Sequence, residues 1–153
     1  MRSKILKTTL LCAGVALVAC NQPETRQETA GDVAAARQEA QEEVAEARRD
    51  AAEQRADVRE ERREADDPEE AREAVRDAVR TDAEAAFEIA KKRIEGEHAV
   101  AVQQCEALEG DLQEQCKESA DSRREAALAQ AEAQRDRTTM WGARLGNGPA
   151  AGS

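Results

Sequence analysis

From residue 32 to residue 137 apolar side chains recur three, four and seven positions apart, and Gly and Pro scarcely interrupt them. Val33, Ala36, Ala40, Val44, Ala47, Ala51, Val58 and Ala65 fall on one side of a 3.6-residue helix. A second run is more apolar: Val75, Val79, Ala86, Ile89, Ala90, Ile94, Ala101, Cys105 and Leu108. A third places Leu112, Cys116, Ala120, Ala127, Leu128 and Ala131 together. The first helix is expected to open at Asp32, an N-cap residue type standing before Val33. Asp66-Asp67-Pro68-Glu69-Glu70 separates the first run from the second. Asp67 suits an N-cap, Pro68 suits a first helical turn, and the two Glu face the positive helix end. A residue before Pro disfavours helix, so one helix should stop near Asp66 and another begin at Pro68. A kinked continuous helix is the alternative. Thr81-Asp82-Ala83-Glu84 also spells a capping box, but without Gly or Pro the helix is read through it.

The second and third runs meet at Leu108-Glu109-Gly110-Asp111-Leu112, between Cys105 and Cys116. On one unbroken helix those two cysteines would stand about 16 Å apart. A disulfide needs Cα atoms within about 7 Å, so pairing requires the chain to reverse between them. Gly110 offers a left-handed residue to end one helix, and Asp111, with Glu114 three positions on, offers a cap for the next. A reversal there pairs positions whose numbers sum to roughly 221. Cys105 then meets Cys116, Ala101 meets Ala120, Ile94 meets Ala127 and Leu128, and Ala90 meets Ala131. Closing so short a loop is worth roughly 3 kcal/mol in the chain-entropy account. Free or intermolecular thiols are the alternative. The single histidine, His98, is seven residues from Cys105, and no CxxC is present, so neither a zinc site nor a redox pair is indicated.

The segment also resembles envelope proteins of proteobacteria, Ala-, Glu- and Lys-rich helices with C-x-x-L-x-G and a second Cys shortly after. Here the match is Cys105, Leu108, Gly110 and Cys116. That resemblance implies a two-Cys helical hairpin and brings no activity with it.

The first twenty residues follow a different pattern. Arg2, Lys4 and Lys7 precede an apolar run from Thr8 to Ala19, which has the length of a signal h-region and is too short to span a bilayer. Leu17-Val18-Ala19-Cys20 resembles the bacterial lipobox. The resemblance implies cleavage before Cys20, lipidation of Cys20 with diacylglycerol and acylation of its amino group, with palmitate as the label that would report it. More than one acyl chain makes attachment stable. Asn21, where Asp would favour inner-membrane retention, points to the outer membrane. Lipobox and alanine-rich helices are also similar to the major murein-linked lipoproteins, but the terminal Lys that those use is replaced by Ser153.

Composition narrows the function classes. The net charge is −10, and removal of residues 1–19 takes three basic residues and no acidic one, leaving −13. So acidic a chain is a poor nucleic-acid partner, since phosphate neutralisation needs a basic surface. With one Phe, one Trp and no Tyr, it cannot build a thick core. Ala, Glu, Arg and Gln are instead strong helix formers. Carboxylate pairs are many, but without a pocket nothing shifts their pKa toward catalysis. His98 is read as a solvated helix residue. Gly96, inside the second helix, marks either a close helix approach or a bend.

These readings give an all-α protein of elongated long helices, coiled-coil-like, with a disulfide-stapled antiparallel helical hairpin. The expected organisation is a signal peptide over 1–19, a flexible tether over 20–31, a first long helix over 32–66, a hairpin over 68–137 turning near Gly110, and a flexible tail over 138–153. The expected function is a non-enzymatic structural, spacer or protein-interaction role in the cell envelope, with no cofactor, metal or small-molecule substrate. Its partners would be the membrane through the lipid, and a second copy or another envelope protein, because weak alanine seams favour association. A periplasmic stress chaperone or binding module is the alternative.

Overall fold

Thr25 opens the described part of the chain with a reciprocal cap: its hydroxyl accepts from the Glu28 amide and the Glu28 carboxylate accepts from the Thr25 amide. The computed structural model describes residues 25–146, so the lipobox, Cys20 and residues 147–153 lie outside the described residues. From this cap helix α1 runs over Arg26–Glu64. The expected start at Asp32 is therefore six residues late, and 26–31 belongs to the helix and not to a tether. The Thr25-Arg26-Gln27-Glu28 capping box outcompetes the lone Asp32, and it brings Thr29 into a buried position one turn before Val33.

Helix α2 covers Pro68–Cys105 and helix α3 covers Asp111–Gly146. Asp67 caps α2 by accepting from the Glu69 and Glu70 amides at 2.7 and 3.0 Å, with Pro68 in the first turn. The chain breaks there, and does not merely kink. It reverses, so that α1 lies antiparallel against α2, and α3 lies antiparallel against the other side of α2. The backbones of α1 and α3 do not approach each other. The result is a flat layer one helix thick, with α2 in the middle and a second fold-back that the sequence reading lacked.

A central helix needs two seams, and α2 has them. Ala83, Ile94 and Cys105 are buried on one side, Ala85 and Gly96 on the other. Within each seam the spacing is eleven residues. In α3, Ala120 and Gly142 are buried and Ala131, midway, is half-buried, again eleven apart. Eleven residues make three turns of 3.67, so such a seam drifts in the opposite sense to a heptad seam. The seams also run thin: every buried apolar residue besides Val33, Ile94 and Cys105 is an alanine. Small side chains bring backbones close, and at Gly96 they come closest. An added Cβ there would collide with the Ala40 methyl and stand 3.2 Å from Ala40 Cα. Gly96 is thus a close approach and not a bend.

The tail expected over 138–153 is helical as far as Gly146. The seam continues past residue 137 because Gly142 receives Val79, whose Cβ would lie 2.9 Å from a methyl placed on that glycine.

Candidate functional site

The most constrained region is the turn between α2 and α3. Cys105 and Cys116 form a disulfide across it, with Cα atoms 5.7 Å apart, and Cys105 is almost wholly buried. α2 closes with Glu106 in helical geometry and a tightened last turn, in which the Leu108 amide bonds the Cys105 carbonyl. Gly110 has φ +56, the left-handed region, which is the reason glycine stands there. Its position differs from expectation. Gly110 lies five residues beyond Cys105, too far to be the residue that ends α2. Its carbonyl instead accepts from the Gln113 and Glu114 amides and so starts α3. Asp111 is accordingly the first helical residue and not the cap.

The register predicted for the hairpin holds along its length. Val79 faces Gly142, numbers summing to 221, and Ala90, Ile94, Ala127 and Ala131 line one groove between the helices. Polar pairs at the edges of the seam follow the same register. Lys117 Nζ meets Glu106 at 2.6 Å, and the Gln113 amide donates to Glu106 at 2.8 Å. His98 Nε2 stands 2.6 Å from Asp121 Oδ1, joining α2 to α3. Sequence reasoning treated His98 as solvated, yet the register rule places it opposite residue 123, two positions from Asp121. Arg135 lies over the Phe87 ring at 4.7 Å from its centroid, a cation–π contact across the same seam. Asp136, bonded at 2.8 Å, holds the Arg135 guanidinium charged and its pKa above the ordinary value.

The α1–α2 seam has no covalent lock. Among the described residues two ion pairs span it, Arg55 with Asp82 at 2.6 Å and Lys92 with Glu43 at 3.6 Å, each about half exposed and worth at most about 1 kcal/mol. Open grooves flank it on both sides of the layer. One is lined by Glu43, Glu46, Asp50, Glu84 and Glu88, with Lys92 and Arg135 at its margin. The other is lined by Arg37, Arg48 and Arg93 around Ala40, Val44 and Gly96.

Among the described residues no cluster of His, Cys, Asp or Glu is arranged to hold a metal ion, and no helix is long and apolar enough to cross a membrane. Among the described residues the large exposed apolar side chains sit at the two ends of the layer. Leu108 and Leu112 are at the disulfide turn, and Val75, Met140 and Trp141 are at the far end. From Leu112 to Trp141 along α3 is about 43 Å, so they form no continuous patch. Comparison with protein-family models, with curated proteins and with solved structures finds no match for this chain.

Proposed function

We propose that this chain is a non-catalytic lipoprotein, tethered through acylated Cys20 to the outer membrane and facing the periplasm, where it serves as a structural spacer or protein-interaction scaffold. The observation that carries this reading is the shape of the body. Three helices of about 54–58 Å lie side by side on alanine seams, with their charged side chains exposed and shallow grooves between them. Such a layer offers length and surface, the properties that spacing and docking require. The disulfide supports an exported location, since such bonds persist in oxidising compartments.

The chaperone alternative requires a continuous apolar surface for unfolded clients. Separation of the exposed apolar residues to opposite ends, with charge between them, favours the scaffold. In-cell crosslinking followed by mass spectrometry distinguishes the two. Recovery of the chain itself or of a small fixed set of envelope proteins is expected, and recovery of many unrelated clients would replace the scaffold with the chaperone. Palmitate labelling tests the anchor separately. It is expected in the wild type and lost in Cys20→Ala, and a wild type that takes up no label removes the anchor.

A further inference from the structure

We infer that the layer carries a docking surface for a second copy of this chain, the arginine face of one copy seating on the carboxylate face of the next. The inference deepens the scaffold reading, on which it rests for its place in the envelope, by naming the partner.

Charge is segregated across α1 to an unusual degree. Arg37, Arg48, Arg55, Arg59 and Arg62 follow one another by eleven, seven, four and three residues, which keeps them on one flank of the seam. The same five line the two grooves of one face, where Asp82 and Glu97 also stand, paired with Arg55 and Arg93. Glu43, Glu46 and Asp50 occupy the opposite flank and line the groove of the opposite face with Glu84 and Glu88. α3 extends the arginine face. Gln130 and Gln134 line its groove beside Arg93, and Arg123, Arg137 and Trp141 stand seven residues from one or the other on the same stripe. All three are exposed.

This segregation costs α1 most of its internal pairing, Arg49 with Glu53 excepted. Opposite charges four apart on a helix each contribute a few tenths of a kcal/mol. Here Glu39 precedes Glu43, Glu46 precedes Asp50, Asp57 precedes Glu61 and Arg55 precedes Arg59, all like-charged. Among the described residues the ion pairs of the arginine face engage Arg55 and Arg93 but not Arg37, Arg48, Arg59 or Arg62. A helix that forgoes pairing within itself gains most from a complementary surface outside.

The chain supplies that surface on its own reverse side, where Glu43, Glu46, Asp50, Glu84 and Glu88 line one groove. The two faces are one helix apart, about 10–12 Å, so a docked neighbour lies nearer to one set of charges than to the other despite the −10 net charge of the chain. Contact between unlike faces is heterologous and does not close on itself, so copies add in a stack. Trp141 and the arginines are the residue types that anchor protein interfaces.

The test uses the chain as cells produce it, extracted in neutral detergent and carrying either of two affinity tags. Differently tagged wild-type copies are expected to co-purify at about 0.05 M salt and to separate at about 0.5 M. Reversal of the arginine face (Arg37→Glu, Arg48→Glu, Arg59→Glu) is expected to reduce self-capture at least tenfold, as is reversal of the carboxylate face (Glu46→Arg, Asp50→Arg, Glu88→Arg). Mixing the two reversed forms is expected to restore capture, which a folding defect could not produce. Wild-type copies that stay apart at low salt overturn the inference whatever the variants do. So does failure of the mixed pair to recover, or a monomeric wild type that instead binds phosphatidylglycerol vesicles or a different acidic protein through Arg37, Arg48 and Arg59. Because palmitate labelling is read independently, stacking without acylation would remove the anchor alone, and acylation without stacking would remove this inference alone.

Discussion

The two seams of α2 solve one problem in two ways. Against α3 the helix has Ile94, a disulfide, a His–Asp contact and an arginine over Phe87. Against α1 it has alanines, one glycine, the buried Val33 of α1 and two half-exposed ion pairs. The first seam is held by chemistry that survives loosening of the packing. The second depends on fit, because an alanine buries little area and contributes only when backbones come close. The lesson is that a chain poor in large side chains has two routes to adhesion, covalent closure and close approach, and this molecule uses one on each side of its central helix.

Several substitutions test that division, in falling order of expected effect. Cys105→Ser with Cys116→Ser removes the loop constraint and is expected to cost roughly 3 kcal/mol, seen as a lowered melting temperature and faster amide exchange in α3. Exchange that rises in α1 and not in α3 would show that the disulfide does not hold the α2–α3 seam. Gly96→Val forces α1 away at Ala40 and is expected to cost about 1–3 kcal/mol, with exchange rising in α1 while α3 stays protected. Adding Ala40→Gly should recover part of the loss, and no recovery would count against close approach as the cause. Asp67→Ala removes the cap of α2 and is expected to cost about 1 kcal/mol, read by thermal unfolding. Arg55→Ala should fall within about 0.5 kcal/mol, since its partner pair is about half exposed.

The smallest effect concerns pH. Glu28 accepts from the Thr25 amide and hydroxyl, which holds its carboxyl below the ordinary 4.5. A carboxyl with a depressed folded-state pKa contributes above its unfolded value and ceases to contribute as pH falls through the folded one. Acidification below 4.5 is therefore expected to fray the first turn of α1, visible as faster exchange at Glu28 and Thr29, with α3 unaffected.

Much of the α2–α3 seam was legible because its markers are rare. Two cysteines eleven apart with a glycine between them admit few geometries, and they fix the register of everything that follows, including the meeting of Val79 with Gly142. The α1–α2 seam had no such marker. Pro68 is as compatible with a kink as with a reversal, and alanines at helical spacing do not say which face they meet. Two signals were available and unused. Buried positions repeat every eleven residues, which heptad counting obscures. Gly96 and Ala40 pair about a centre at residue 68, which points to a reversal at the proline. The two ends of the body departed from expectation for different reasons: residues 26–31 are polar, and the sequence after residue 137 turns to Gly, Pro and Ala. A capping box at Thr25 and a continuing seam at Gly142 carry the helices through both.

An odd number of antiparallel helices separates the two ends of the described body. Residue 25 emerges at the pole that holds the sulfur-locked turn, and residue 146 at the opposite pole, about 55 Å away. Tension between the termini would run parallel to both seams and load them in shear, so that every contact along a helix resists together. A two-helix body would bring both termini to one pole, where the same pull peels contacts apart one turn at a time. The third helix thus turns a foldable hairpin into a strut able to bear force from end to end.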